Sequence, residues 1–199
     1  MASSQIAISN QALAHIGVTT SIASLTESSK EARICALFFE PVRDTLLEAF
    51  DWGFARKRVA LALSTAEVTN WEFAYAYPSD CVAARRLALA GQRNPRADQR
   101  LPFELASDGA VRLLLADQED AELVYTARIT DANLFSPGFV ELMGYALAAK
   151  IAMPMAVSTS IANMARQAAA DAFNAAVARD LNQGQEDQPV ACEFLTVRE

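Results

Sequence analysis

The fold of this chain is decided by residues 28–58, SSKEARICALFFEPVRDTLLEAFDWGFARKR. Apolar residues recur in this stretch at steps of three and four, which predicts one long amphipathic helix. The predicted apolar face consists of Ile34, Leu37, Phe38, Pro41, Thr45, Ala49 and Trp52. We expect the helix to end at the aromatic residues, after which residues 56–58 begin a basic, extended segment.

Two features of this helix leave alternatives open. Ser28 followed by Glu31 is a capping-box pattern at the helix start, and Ser24 followed by Glu27 is an alternative. Pro41 removes a backbone hydrogen bond and clashes with the preceding turn, which predicts a kink or a break into two helices. A kinked, continuous helix is favoured because the apolar spacing carries on across the proline.

Three further helices are predicted on either side of the middle of the chain. Residues 4–17 form a short helix, and Gly17 is suited to the left-handed position after its end. Ser136 and Pro137 are typical of a helix start, and that helix extends to about residue 153. The last helix follows Ser158, is rich in alanine and ends near residue 182.

The middle of the chain carries strand signals instead. Residues 71–77, WEFAYAY, alternate between aromatic and small or acidic side chains, which predicts a half-buried strand. Asp108 followed by Gly109 is a hairpin signal between two short alternating segments. The other candidate strands are residues 59–63, 103–105, 111–115 and 122–129, and residues 81–89 are either a strand or a short helix.

These patterns predict an α+β, mainly α fold. A bundle of about four helices, one of them long and kinked, is formed by residues 1–55 together with 131–184. Residues 56–130 form an inserted β-rich domain with a small antiparallel sheet, and residues 185–199 form an extended C-terminal tail. Because the helices before and after the insert share a core, the helical domain is expected to be discontinuous.

Charge favours protein partners over nucleic acid. The chain has 199 residues and a net charge of −7, and the arginines are concentrated in the insert. Arginine side chains of this kind are common at protein interfaces, whereas an acidic chain is unsuited to tight DNA binding. No apolar run is long enough to cross a bilayer and no signal peptide is evident, so we expect synthesis in the cytoplasm and no membrane contact.

The sequence contains few residues of the kinds that catalysis and metal binding use. His15 is the only histidine, and no phosphate loop or catalytic motif occurs. Cys35, Cys81 and Cys192 are widely spaced, which predicts two core thiols and one thiol in the tail. We therefore expect no enzyme activity, no metal and no cofactor.

The candidate partner interface combines basic residues of the insert with apolar residues of the tail. Arg43 and Asp44 are expected on a solvated or intersubunit face of the long helix. The residues of the candidate interface are Arg56, Lys57, Arg58, Arg85, Arg86, Phe194, Leu195, Val197 and Arg198.

The order of several short motifs resembles a known family. Arg43-Asp44, WGFA at 52–55, YAYP at 75–78 and Asp80-Cys81, followed by the late Phe-rich helix and the Ala-rich last helix, stand in the order found in head-to-tail adaptors of tailed phages. This family is called tail tubular protein A in short-tailed viruses. The likeness covers about residues 5–183, and residues 190–199 match no motif of the family.

The resemblance implies a structural protein of the virion. It implies a homo-oligomeric ring, of about twelve copies, between the portal protein and the tail nozzle protein. Genome DNA would pass through its lumen without sequence-specific binding, and the tail would contact a neighbour such as the portal. The alternative is a small helical interaction or regulatory protein that binds a protein partner through its Arg-rich insert.

Overall fold

A computed structural model describes residues 4–66, 68–89, 91 and 100–183. It has four α-helices and two small antiparallel sheets of three strands each, and this confirms the predicted α+β, mainly α class. The helices are α1 (Gln5–His15), α2 (Lys30–Ala49), α3 (Pro137–Ile151) and α4 (Thr159–Leu181). The strands are β1 (Arg56–Ala60), β2 (Phe73–Ala76), β3 (Cys81–Ala88), β4 (Glu104–Ser107), β5 (Arg112–Ala116) and β6 (Glu122–Ala127).

Helix α2 begins one residue later than its capping-box pattern predicted. The Ser29 hydroxyl accepts a hydrogen bond from the backbone N–H of Ala32 at 3.2 Å, so the N-cap is Ser29 and not Ser28. The alternative start at Ser24 is also wrong. The Glu27 carboxylate does accept a hydrogen bond from the Ser24 backbone N–H at 3.4 Å, but this contact closes a turn ahead of the helix.

Helix α2 runs without a break through Pro41, as the favoured alternative predicted. Its buried face is not the predicted one, since Leu37 is 67% exposed and Pro41 is exposed too. The buried residues are Ala32, Cys35, Phe39, Val42, Arg43 and Leu47. Both sets recur at helical spacing, and the true set contains alanine, cysteine and arginine, whose low hydrophobicity hides it in the sequence.

The other helix boundaries agree with their sequence signals. Gly17 has a φ of +78°, in the left-handed region that glycine adopts without strain. The Ser136 hydroxyl accepts a hydrogen bond from the N–H of Phe139 at 3.3 Å at the start of α3. The Ser158 hydroxyl accepts from Ile161 at 3.4 Å at the start of α4. Serine capping therefore defines the beginning of both late helices.

The insert contains two sheets where the sequence predicted one. The first has the order β1-β6-β3, and the second has the order β2-β5-β4. Strands β4 and β5 form the predicted hairpin, with Gly109 at a φ of +93° in its turn. The segment 81–89, which the sequence left open between strand and short helix, forms strand β3 over Cys81–Ala88. Strand alternation shows which face of a strand is buried, but not which strands pair, so the division into two sheets was not visible.

The helices pack around α3, which contacts α1, α2 and α4. The buried residues of the largest hydrophobic core come from positions 8–55 and 132–176, on both sides of the insert. Two smaller cores lie on the sheets. Helix α2 also contacts β3 and β6, so it connects the bundle to the first sheet.

Candidate partner interface

The three basic residues of β1 are each paired with an acidic residue. Arg56 Nε lies 3.0 Å from Asp51 Oδ1, and Lys57 Nζ lies 2.7 Å from Asp80 Oδ2. Arg58 Nε donates to the Glu122 carboxylate, and its Nη2 donates to the Leu89 carbonyl at 3.0 Å. Strand β1 therefore presents a row of ion pairs at the surface instead of an uncompensated cationic patch.

Asp80 is held by several hydrogen bonds at the end of the first sheet. Its Oδ1 accepts from the Tyr125 hydroxyl at 2.9 Å, and its other oxygen binds Lys57. Burial opposes ionisation of Asp80, but the hydrogen bonds from Lys57 and Tyr125 outweigh it, so its pKa is lowered. Burial and the bond to Asp80 raise the pKa of Tyr125 to about 12. Asp80 thus remains a charged acceptor at neutral pH.

Arg85 is engaged within the chain, at the C-terminal end of α2. Its Nη2 donates to the carbonyls of Leu47, Glu48 and Phe50 at 3.1, 2.8 and 2.7 Å. Its Nε donates to the buried Thr126 hydroxyl at 2.8 Å. Helix α2 has no basic residue in its last turn, so Arg85 supplies from β3 the positive charge that favours a helix C-terminus.

Arg86 lies partly buried on the same sheet. It is in register with Val124 of β6, and Arg58 is in register with Val124 on the other side. Burial lowers the pKa of Arg86, the Asp51 carboxylate raises it, and the neighbouring charges of Arg56, Arg100 and Arg58 lower it further. The structure therefore brings two of the predicted interface arginines to flanking positions across one strand.

Phe194, Leu195, Val197 and Arg198, the predicted interface residues of the tail, lie outside the described residues.

Arg43 is a correction to the sequence analysis, which expected it on a solvated or intersubunit face. It is 2% exposed, and its Nε donates to Asp44 Oδ1 at 2.8 Å. Its Nη1 lies 3.7 Å from Glu40 Oε1. The second oxygen of Asp44 lies 3.1 Å from Nε of Arg128, which follows β6. The Asp44 and Glu40 carboxylates compensate the buried charge of Arg43, and Asp44 in turn pairs with Arg128. The contact between Asp44 and Arg128 is long-range, so sequence spacing does not reveal it.

Arg128 connects two motifs that lie far apart in sequence. Its side chain binds Asp44 on α2, and its backbone N–H donates to the Asp80 carbonyl at 2.7 Å. Asp44 and Asp80 belong to the motifs on which the resemblance rests. Sequence reasoning missed Arg128, because nothing in its own surroundings pairs it with either residue. Together with Arg85 it forms what we refer to as the joint, defined by Asp44, Asp80, Arg85, Thr126 and Arg128.

Trp52 anchors the chain between the joint and the bundle. It is fully buried, and its indole N–H donates to the Leu46 carbonyl at 2.7 Å near the end of α2. Its ring packs on Phe139 of α3 and Phe173 of α4, with centroid distances of 5.2 and 6.2 Å. Trp52 therefore fixes the turn after α2 in the core of the bundle.

His15, Cys35 and Cys81, the residues that the sequence offered for catalysis or metal binding, are packed against other parts of the chain. His15 stacks on Tyr145 of α3 with a centroid distance of 4.1 Å. Cys35 and Cys81 are buried free thiols, as predicted, and burial followed by the Glu31 charge raises the pKa of Cys35 to about 11. Among the described residues no group of three or more His, Cys, Asp or Glu side chains is arranged to hold a metal ion. No helix in the described ranges is long and apolar enough to span a membrane.

No protein-family model matches the chain, and the search of curated proteins gave no match.

Proposed function

We propose that this protein is a structural head-to-tail adaptor of a tailed phage. In this proposal, copies of the chain form a ring of about twelve subunits between the portal protein and the tail nozzle, in the virion, and the chain has no catalytic role. The observation that carries the proposal is the joint. The motif residues Asp44 and Asp80 meet there through Arg128, and Trp52 fixes the adjoining turn in the bundle core.

The joint supports this role because it links two bodies of different shape. A closed ring needs two different surfaces on each subunit, one fitting the other on the next copy. The helical bundle supplies one candidate surface and the sheets supply another, and Arg85 and Arg128 connect them with charged hydrogen bonds. The motif residues Asp44 and Asp80 therefore help to hold the bundle and the first sheet together, and a structural adaptor requires such a fixed connection.

The charge distribution supports passage of DNA in preference to binding. The chain has a net charge of −7, and Arg56, Lys57 and Arg58 are paired with Asp51, Asp80 and Glu122. Basic residues that are already paired have little excess charge to offer to phosphates. A lumen of this composition would let DNA slide through.

The same pairing weakens the alternative of a regulatory protein that binds through its Arg-rich insert. That alternative needs arginines whose hydrogen-bond donors are available to a partner. The Nε and Nη2 donors of Arg85 bind Thr126 and the end of α2, and the Nε donor of Arg128 binds Asp44. We therefore favour the adaptor.

Electron microscopy of the purified chain, mixed with the portal protein of the same genome, tests the proposal. We expect rings stacked on the portal, with a copy number matching twelve by light scattering. No association at micromolar concentrations would overturn the proposal.

The tail has a separate test within the same experiment. Removal of residues 185–199 should leave the chain folded, because the buried residues of the main core come from positions 8–55 and 132–176. It should weaken docking to the portal, since Phe194, Leu195, Val197 and Arg198 would be lost. A truncated chain that docks as the full chain does would exclude the tail from this contact.

A further inference from the structure

A surface cavity lies beside the segment that joins β2 of the second sheet to β3 of the first sheet. Its volume is about 350 Å³, within the range of about 300–1,000 Å³ that is typical of small-molecule sites. Tyr77, Arg112 and Arg128 line it together with several small or apolar side chains. None of the described residues that line this cavity is acidic, although the whole chain has a net charge of −7.

Arg112 forms no ion pair with any described residue, and an aromatic ring holds its side chain in place. The guanidinium carbon lies 4.5 Å from the centre of the Tyr77 ring, a cation–π distance. Tyr77 is half-buried against one of the smaller hydrophobic cores, and its backbone N–H donates to the Arg112 carbonyl at 3.2 Å. The stack covers a face of the guanidinium. Its N–H donors lie in the plane of the group, so they remain available to a ligand.

Backbone N–H groups beside the cavity are already used within the chain. Those of Cys81 and Arg128 donate to the carbonyls of Pro78 and Asp80 at 3.0 and 2.7 Å. Phosphate sites typically combine several free N–H groups of a loop or of a helix N-terminus. A carboxylate differs because its two oxygens match the fork of a single guanidinium. The cavity is therefore better suited to a carboxylate than to a phosphate.

Other parts of the cavity wall are apolar. Val111, next to Arg112 in sequence, is 54% exposed, and Pro78 and Leu113 also line the cavity. An aliphatic stem placed against these side chains would lose contact with water, which adds to affinity. The same ligand could then direct a carboxylate at the end of its stem towards Arg112.

We propose that this cavity binds a carboxylate carried on a short aliphatic stem. Arg112 binds the carboxylate, and the Tyr77 ring is the positioning residue that orients Arg112. Arg128 also lines the cavity, but its Nε lies 3.1 Å from Asp44 Oδ2. Arg112 is therefore the main source of positive charge for the ligand. A free organic acid and a glutamate side chain of a partner protein both carry this chemical group.

This inference goes beyond the proposed function, and it does not require that the chain form a ring. A single stacked arginine in a cavity binds one carboxylate. It does not amount to the broad basic surface that the regulatory alternative needs.

An NMR titration of the isotope-labelled, full-length protein at low salt tests the proposal. The probe is butyrate, and its neutral isostere butyramide is the matched control. We expect butyrate to shift the amide resonances of Tyr77, Val111 and Arg112 with millimolar affinity, since so small a ligand has few atoms with which to bind. Butyramide and inorganic phosphate should bind at least about tenfold more weakly, because they lack the charge or the shape for the bidentate contact.

Three outcomes of this titration would overturn the proposal. These are no shift of the three resonances with butyrate, equal shifts with butyrate and butyramide, or phosphate binding as tight as that of butyrate. The titration uses the unsubstituted chain, so a variant that fails to fold does not leave the proposal untested.

Substitutions separate the roles of the two residues. Arg112→Gln should weaken butyrate binding at least about tenfold, whereas Arg166→Gln, at an exposed position of α4, is the matched control and should not change it. Tyr77→Leu removes the stacking ring and should weaken binding about threefold. Tyr77→Phe keeps the ring and should retain the wild-type affinity. Wild-type binding by Arg112→Gln, or equal binding by the two Tyr77 variants, would also contradict the assigned roles.

A capped Ala-Glu-Ala peptide separates the two sources of the carboxylate, and the Ala-Gln-Ala peptide is its neutral control. Binding of the glutamate peptide with at least the affinity of butyrate supports a side chain of a partner protein as the ligand. Binding of butyrate alone supports a free organic acid. If neither probe binds, the proposal is wrong.

Discussion

Replacing Arg85 by methionine should separate the sheet from the end of α2. The substitution keeps the length of the side chain and removes the guanidinium. The last-turn carbonyls of Leu47 and Phe50 are left without their charged donor, and the buried Thr126 hydroxyl loses its partner. Each unsatisfied, partly buried polar group costs about 1–3 kcal/mol.

We expect Arg85→Met to lower the free energy of unfolding by about 3 kcal/mol in total. This is less than the sum of the separate contacts, because one nitrogen serves three carbonyls and the Glu48 carbonyl can be hydrated. For a chain of this size the loss corresponds to about 8 °C in melting temperature. Arg85→Lys keeps the charge but not the planar fork, so it should recover part of the loss.

Urea unfolding monitored by circular dichroism and tryptophan fluorescence measures this effect. Fluorescence is informative because Trp52 is fully buried beside the affected turn. Arg112→Met is the matched control. Arg112 is exposed and stacks on Tyr77 at 4.5 Å, so its loss should cost less than about 1 kcal/mol. If Arg85→Met is no less stable than Arg112→Met, the assignment of Arg85 as the element that fixes α2 to the sheet is wrong.

Three further substitutions probe the joint and the bundle. Asp44→Ala should lower the free energy of unfolding, measured with urea, by about 2–3 kcal/mol, because it leaves the buried Arg43 charge without its nearest carboxylate. An unfolding free energy equal to that of the wild type within error would contradict this. Trp52→Phe removes the indole hydrogen bond to the last helical turn and part of the packing, and a loss of about 2–4 kcal/mol should appear as a lower unfolding midpoint. Burial lowers the pKa of His15 below 6.5, with Glu141 opposing. Stability should therefore be fully present above pH 6.5 and fall as the pH drops through the lower folded-state pKa, and His15→Gln should flatten this dependence of the melting temperature.

Much of the fold could be predicted from local patterns. Helix starts at Ser136 and Ser158, the end of α1 at Gly17 and the hairpin at Gly109 each depend on a few adjacent residues. The hydrogen bonds and backbone angles that define them are local, so the sequence signal and the physical cause lie within one turn. Such elements are the ones for which sequence reasoning succeeded.

The joint could not be predicted, because its contacts are long-range. Asp44 and Arg128 are brought together only when β6 packs between β1 and β3, and strand alternation does not specify that pairing. The same is true of Arg85, which was predicted to face a partner and instead binds the end of α2; whether it also contacts a partner stays a prediction. The buried face of α2 was misjudged because it includes Arg43, whose charge is compensated by Glu40 and Asp44 of the same helix, and an arginine is not expected on a buried face.

The shared core of the bundle also affects how the chain folds during synthesis. Helix α3 contacts all three other helices, yet it lies after the insert, so α1 and α2 emerge from the ribosome before their main packing partner exists. At about 5–20 residues per second, the roughly one hundred residues between α2 and the end of α3 take about 5–20 s to make. For that interval the sheets can form first, while the apolar faces of α1 and α2 stay uncovered. Folding of the bundle must therefore wait for translation of its second half, and α1 and α2 are the segments most in need of chaperone protection.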